Sequence, residues 1–542
     1  MKRPSQNTWR LIRELHASQS FWDKLTGRQE SSLLLFDEIA AADEALVIPH
    51  LTAFLLSERT QLRDAAAQTI GRLLANVQSS EYVQLDEACR KDWSYETSAS
   101  SAWRRLKPTD VKQFWRLPNA IAVVGVTSCH GSGFVRDSAV NELANIFDGL
   151  ELPFLLVRLN DWVGVVRESA ATAVLHRIRR DYARHFFRHL RLVFRLRSCG
   201  RSQNEQIVIA VTDLLQAPDA APLLREGILS KDRWLRRESF RLAISANSTQ
   251  STELLKEMLS DSDPIMRLWA ARNVLTRLND AELRPLLPSL LRDRFMPVRR
   301  EALNLLMQRF SADASGALRD ALLDSHSSVR SLARYWMRSQ HPEFNFASVY
   351  HQSLNGGSAA RQRVAILGLG ETGTSADASA TLFFLTAPFV SLRKAAIRTL
   401  AALDGDRYVE EFIAALTDNH PGVSNEATRA LTNKVALRTE QLLSFFRAEL
   451  PLHVRKNIFR LLMSQPFWAR GIFLFEALRD RDEHIVELGR RAIRDWLMRS
   501  RSMASAPTLG ELRQLQDALK ASSGMLAPHE VQELEFCFKT YK

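Results

Sequence analysis

Along most of this chain an apolar position and a small position, four residues apart, return together every 31 or 32 residues. Counting from the residue after the apolar one, the series of reference points runs Arg236, Arg267, Arg299, Arg330, Gln362, Arg393, Ser424, Arg455 and Val486. The apolar column reads Leu235, Met266, Val298, Val329, Leu392, Val423, Val454 and Ile485, interrupted once by Arg361. Three residues past each reference point stand Ser239, Ala270, Ala302, Ala333, Ala365, Ala396, Ala427 and Gly489, interrupted once by Ile458. Six residues before it, Asp261, Asp293, Asp324, Asp418, Glu449 and Asp480 are acidic. A four-residue spacing puts the first two columns on one face of a helix, and the small residue lets a neighbouring helix approach closely.

These columns predict stacked antiparallel helix pairs. The acid ends the turn inside each pair and is expected to cap the second helix, whose first N–H groups lack partners. Pro264, Pro297, Pro421 and Pro451 fall where a first helical turn tolerates a missing N–H. The arginine can reach an acid of its own or the adjacent repeat. Asp261, Arg267, Asp293, Arg299, Asp324 and Arg330 are therefore expected to form a ladder along the stack.

The pattern Asp-x-Asp-Pro-x-apolar-Arg-x-x-Ala, clearest at Asp261 to Ala270, resembles the inter-helix turn and second helix of HEAT repeats. The short period, with Gly368-Leu-Gly370-Glu-Thr-Gly373 closing one repeat, resembles the HEAT-like subclass of phycobilisome lyases. The likeness covers Leu223 to Leu497. It extends upstream with gaps, through Asp161 with Val166, Arg167 and Ala170, Val135 and Arg136 with Ala139, and Leu62 and Arg63 with Ala66. It implies an all-α fold, an α-solenoid superhelix of HEAT-like helix pairs. Nine repeats at roughly 10 Å per helix would give an arc on the order of 90 Å.

Residues 79–133 break the period and are rich in aromatic residues, among them Tyr82, Trp93, Tyr95, Trp103 and Trp115, before Ser128-Cys-His-Gly-Ser-Gly133. The expected organisation is helical repeats over 1–78, an irregular insertion or degenerate repeat over 79–133, and the repeat array over 134–498. A linker over 499–508 and a capping helix pair over 509–542 complete it, the pair covering the last apolar face.

Composition narrows the class. The chain of 542 residues is too long for one compact core and has the 46% hydrophobic and 25% charged content of a folded protein. Its net charge of +12 favours acidic partners without choosing among nucleic acid, anionic lipid and acidic protein. Cys89, Cys129, Cys199 and Cys537 lie far apart, which argues against a disulfide framework or zinc module and fits a reducing cytoplasm. Met1 to Leu15 lacks the apolar core of a signal peptide, and the apolar run Ala120 to Val126 is far short of a membrane span, so a cytoplasmic location is expected.

Candidate chemistry is sparse. Gly368, Gly370 and Gly373 imitate a dinucleotide fingerprint, but they end a repeat helix and no acid near position 390 could hold a ribose. His185 and His189 have metal-pair spacing, but the glutamate of HExxH and a third ligand are missing. No catalytic, cofactor or metal site is assigned. HEAT-like DNA glycosylases hold lesions with tryptophans, a remote reading here because Trp269 and Trp336 sit at core-like positions. One local feature stands out: Arg177 to Arg201 holds nine arginines against the single acid Asp181. Read as one helix, it places Arg184, Arg188, Arg191 and Arg195 within about 60° of one another. With Arg177 and Arg180 they form a candidate anion- or partner-binding stripe, since each guanidinium offers a planar fork of donors.

The favoured reading is a non-catalytic scaffold or adaptor holding a protein or peptide partner on an extended concave surface. The alternative is sequence-independent nucleic-acid binding through the stripe, with a log–log salt slope of about −3.6 for some four phosphates. The lyase-type resemblance alone adds the chaperoning of a cofactor onto another protein.

Overall fold

The computed structural model describes residues 1–17, 29–90, 98–201, 204–246, 250–432, 439–500, 503 and 505–541. Helices account for all the regular structure among them, and no strand occurs there. The chain divides into two compact units, Met1–Met266 and Arg267–Lys542. The division falls inside the stretch that the periodicity reads as one array.

All nine reference points lie in the first two turns of a helix, from Arg233–Ser245 through Pro264–Arg277 and Met296–Arg309 to Glu483–Ser500. The small column is buried at every one of its nine positions, Ile458 included. The apolar column is buried from Met266 onward except at Arg361, which is exposed, while Leu235 is half-buried. In the second unit the faces of Val423, Ala427, Val454, Ile458 and Ile485 belong to a core running from Ala378 to Phe538. The helices Leu509–Ser522 and Pro528–Lys539 close it, contributing Leu512, Leu515, Leu519 and Leu534. Arg499 and Ser500 still belong to the preceding helix, and residues 501, 502 and 504 of the expected linker lie outside the described residues.

The arginine column does more than reach one acid. In the second unit Arg299 aims Nε and Nη2 at the two carboxylate oxygens of Asp324, both at 2.7 Å, while its Nη1 donates to the carbonyl of Asp293 at 2.8 Å. Arg393 repeats the arrangement with Asp418 and the carbonyl of Ala387. Arg267 forks onto Asp293 at 2.8 and 2.9 Å. In the first unit Arg136 forks onto Asp161 and donates to the carbonyls of His130 and Gly131, and Arg236 pairs with Asp261. Arg136, Arg299 and Arg393 therefore tie the turn of their own repeat to the turn of the next. Two-toothed, charge-assisted bonds of this kind are the strong class.

The acid's role differs from the expected helix cap. Asp293, Asp324, Asp418 and Asp480 each accept the N–H two residues on, which closes the turn before the helix begins. The places before the helices go to Phe295, His326, His420 and Asp482, of which the two histidines cap with their rings and Asp482 accepts the His484 N–H. The carboxylate has to face the preceding repeat to receive the fork, so it cannot also point along its own helix. Glu449, the one glutamate of the acidic column, pairs with Arg481 at the surface instead. Arg330 lacks an acid 25 positions on, where Asn355 stands, and pairs with Glu371, which also binds Arg334.

The aperiodic stretch belongs to the first unit's core. Its described part forms the helices Tyr82–Arg90, Ser98–Arg104 and Ala120–Thr127 with a 3-10 segment over Pro108–Arg116, and buries Leu106, Val111, Phe114, Val123 and Val124. Trp93 and Tyr95 lie outside the described residues. Trp103 and Trp115 are half-buried, the latter bonded to Glu142. Ser128 to Gly133 is a structural turn: the His130 ring meets the Trp103 carbonyl and accepts the Ser132 N–H. Below it Arg136 and Arg158, both fully buried, share Asp161 with Arg90 at the edge, and Asp86 pairs with Arg90 and Arg158. The exposed ring of Trp162 lies over the guanidinium groups of Arg136 and Arg90, at 5.7 and 6.0 Å.

Two predictions follow from the forks. Arg299→Ala leaves Asp324 and a turn carbonyl without their donor, an expected loss of about 2–4 kcal/mol. Hydrogen exchange reads it as earlier opening of Met296–Arg309 and Ser327–Gln340, with Arg272→Ala, an exposed pair with Glu301, changing little. The second concerns acid. Burial pushes Asp161 up, but the Arg136 hydrogen bond, the Arg158 charge and the Val163 N–H outweigh it and hold the carboxyl below its ordinary value of 3.8. Asp293 is held down in the same way by Arg267 and the Phe295 N–H against its burial. Groups lowered on folding contribute stability above their unfolded pKa and lose it as pH falls through the folded one. Acid unfolding is therefore expected below about pH 4, and Asp161→Asn flattens that slope when stability is followed by circular dichroism.

Candidate binding surfaces

The arginine-rich segment 177–201 is not one helix. A 3-10 turn over Arg180–Tyr182 leads into Ala183–Arg188, the backbone bends at His189, and Leu190–Arg195 follows at a new angle. The 60° stripe computed for a continuous helix is therefore broken. Phe186, Phe187, Leu190 and Val193 are buried on both sides of the bend, and packing this apolar set forces the turn.

The six stripe residues have separate fates. Arg177 is fully buried and spent: it pairs with Glu151 and donates to the carbonyls of Ala173, Leu143, Ala144 and Ile146. Arg180 pairs with Asp219, and Arg184 approaches Glu226 at 3.7 Å. Arg191 places Nη2 2.8 Å from both oxygens of Asp232 and lies 4.7 Å from the Trp234 ring centre. Arg188 is exposed and Arg195 half-exposed, and neither pairs with an acid among the described residues. The segment's neighbours in space supply the acids its sequence lacks.

His185 and His189 do not form a pair. The His185 ring lies against Tyr182 and over Gly149, whose φ of +99° and closeness to that ring both require glycine. His189 is buried edge-on against Tyr82. No cluster of metal-ligating residues occurs among the described residues. Gly368 and Gly370 lie within the helix Ala359–Thr372, not in a phosphate-cradling loop, and a side chain there would strike Tyr350 and Thr399. They are close-approach positions between helices. Trp269 and Trp336 are half-buried, not core.

A second surface was not singled out from the sequence. One and five residues past the reference point, neighbouring second helices of the second unit present outward positions on one face. Across Val390–Asp404, Pro421–Leu431, Leu452–Met463 and Glu483–Ser500 these are Lys394 and Arg398, Asn425 and Arg429, Lys456 and Arg460, and Glu487 and Arg491. Arg398 and Arg429 share Glu426, and Arg491 pairs with Glu487. Lys394, Lys456 and Arg460 pair with no acid among the described residues, and Arg460 is held by the amide oxygens of Asn425 and Asn457. A groove of about 520 Å³ opens between the last two of these helices. Its apolar lining is Phe459, Met463 and Leu488, and Lys456, Arg460, His484, Arg491 and the acid Glu487 surround it. The two cationic columns stand at fixed offsets from the register and form no local run of charge along the chain.

No single described helix is long and apolar enough to cross a membrane. A family model described as HEAT repeats matches residues 251–337, the stretch holding the forks of Arg267 and Arg299. The narrower lyase-type likeness rests only on the period and on Gly368 to Gly373. No curated protein matches. Among solved structures the chain is similar to yeast importin-beta (Kap95p), at 12% identity over 86% of this chain and 67% of that one, TM-score 0.34. It is similar also to the karyopherin Kap121p bound to the SUMO protease Ulp1p, at 12% identity over 100% of this chain, TM-score 0.32; it spans 64% of that protein's length. An importin beta structure gives 13% identity over 99% of this chain and 84% of the other, TM-score 0.30. Identities this low leave open what the chain binds. The chain is an all-helical repeat protein, with a HEAT-repeat match at 251–337.

Proposed function

We propose that this protein is a non-catalytic scaffold that holds an acidic segment of a protein partner on the second-helix face of its second unit. The observation that carries the reading is the double column of cations from Lys394 to Arg491. Lys394, Arg398, Arg429, Lys456, Arg460 and Arg491 stand there against the two acids Glu426 and Glu487. Charges presented on second helices tied by the Arg393–Asp418 fork and the Arg455–Asp480 pair are held at fixed spacing, so a partner meets them without ordering the site first.

A peptide suits this face better than a phosphate backbone. Glu487 interrupts the first cationic column, which a uniform polyanion would meet as repulsion, and Glu426 lies buried against Arg398 and Arg429. The groove beside Lys456 offers Phe459, Met463 and Leu488, a floor for an apolar side chain flanked by acids. The arginine-rich segment supports nucleic-acid binding less than its sequence suggests. Arg177 is buried, Arg180 and Arg184 already face acids, and Arg191 spends one amino group on Asp232.

The test compares proteins retained from native extract by the wild type and by Lys394→Glu/Lys456→Glu/Arg460→Glu, with and without nuclease. A nuclease-resistant partner whose affinity for the variant falls about 10–100-fold, while circular dichroism is unchanged, is the expected outcome. Partners retained equally by the variant sink the assignment to this face. Partners lost on nuclease treatment move the function to nucleic acid.

A further inference from the structure

The bend at His189 leaves a cleft of about 490 Å³ in the first unit. Three segments frame it: the turn Ala75 to Ser79, the bend itself from Phe187 to Arg191, and the residues Asp232, Trp234 and Leu235 at the start of Arg233–Ser245. The proposed peptide face lies elsewhere, so this cleft stands or falls independently of it.

Its polar groups are unevenly satisfied. Asp232 is saturated, taking Arg191 Nη2 on both oxygens and the N–H groups of Trp234 and Leu235. Arg191 uses only Nη2 in that pair and is fixed from behind by the Trp234 ring, which leaves its Nε and Nη1 unspent. Arg188 pairs with no acid among the described residues. His189 is 6% exposed and its Nδ1 has no hydrogen-bond partner; neither has the buried Oγ of Ser79. A buried polar atom left unpaired is costly, so two of them on residues that line one cleft beside two arginines point to a ligand that completes them.

We propose that this cleft binds a phosphate monoester, with Arg188 and the free edge of Arg191 as the cationic clamp and Ser79 Oγ and His189 Nδ1 bonding the remaining oxygens. The number of donors selects the ligand class. The two arginines offer at least two N–H donors each beside the Ser79 hydroxyl and His189 Nδ1, roughly six bonds against the about four lone-pair sites of a carboxylate, which suits the three terminal oxygens of a phosphate. Burial, then the charges of Arg188 and His185, push the His189 ring down to about 3, so it enters as a neutral imidazole. In that form Nδ1 can donate to an anionic oxygen or accept from the P–OH of a monoanion. Asp232 does not repel the ligand, because its charge is already taken by Arg191.

The same chemistry could come from a phosphorylated side chain or a free phosphate, and the probes separate the two. Calorimetric titration of the full chain uses inorganic phosphate and N-acetyl-O-phosphoserine amide at constant ionic strength, with acetate as competitor. Saturable binding that acetate does not displace is expected, weakened by about tenfold or more in Arg188→Ala and about threefold in Ser79→Ala. Arg184→Ala, which removes a neighbouring charge outside the cleft, should change it less than about twofold. Tighter binding of the phosphoserine probe identifies a modified protein as the source, and equal or tighter binding of inorganic phosphate a free anion. Arg188 and Ser79 are exposed or at the rim, so both variants should fold. The proposal is overturned if neither probe saturates, if Arg188→Ala binds like the wild type, or if acetate competes as well as phosphate.

Discussion

The register between successive repeats is set, at Arg136, Arg299 and Arg393, by one bonding pattern: a guanidinium that grips the turn behind it and the carboxylate of the turn ahead. Apolar columns alone would hold helices face to face while leaving them free to slide or rotate, because dispersion and hydrophobic burial have no direction. The fork from Arg299 to Asp324 has direction. Both of its bonds are 2.7 Å long, and the third donor is committed to the carbonyl of Asp293. It fixes the angle between successive repeats as well as their contact. The same geometry recurs at Arg136, where the surrounding sequence has lost its period.

Reading the chain alone, the architecture was accessible because it is written in columns. An alanine or a valine at a fixed offset reports a helix face directly, and nine copies leave no other explanation. What could not be read was where a polar side chain spends its bonds. The acid six residues before each reference point looked like a cap because capping is the commonest use of aspartate before a helix. In fact the carboxylates of Asp324 and Asp418 face sideways to meet an arginine 25 residues upstream, and the cap falls two residues later, to His326 and His420 there and to Asp263 and Asp482 in other repeats. Likewise Asn355, standing where an acid was due, gave no hint that Glu371 would answer Arg330 from farther along the chain.

The binding surfaces show the same limit from the other side. Nine arginines in 25 residues read as a stripe only on the assumption of a continuous helix and an empty neighbourhood. Phe186, Phe187, Leu190 and Val193 bend the helix, and Asp219, Glu226 and Asp232, distant in sequence, fold against it. The more open cations, Lys394, Lys456 and Arg460, are spread one or two to a repeat and made no local cluster. Charge density along a chain and charge availability at a surface are different quantities in a stacked protein, because stacking brings every residue beside others about 31 positions away.

The fork also bears on how such an array changes its length. Each repeat that carries both halves presents an aspartate toward its predecessor and an arginine toward its successor, so it is complementary to a copy of itself. Inserting or excising a whole unit between Asp261 and Arg330 would rejoin a donor to an acceptor and strand no buried charge. A cut of any other length would leave a guanidinium facing nothing. The chain can grow and shrink in whole repeats, like a zip whose every tooth fits every socket.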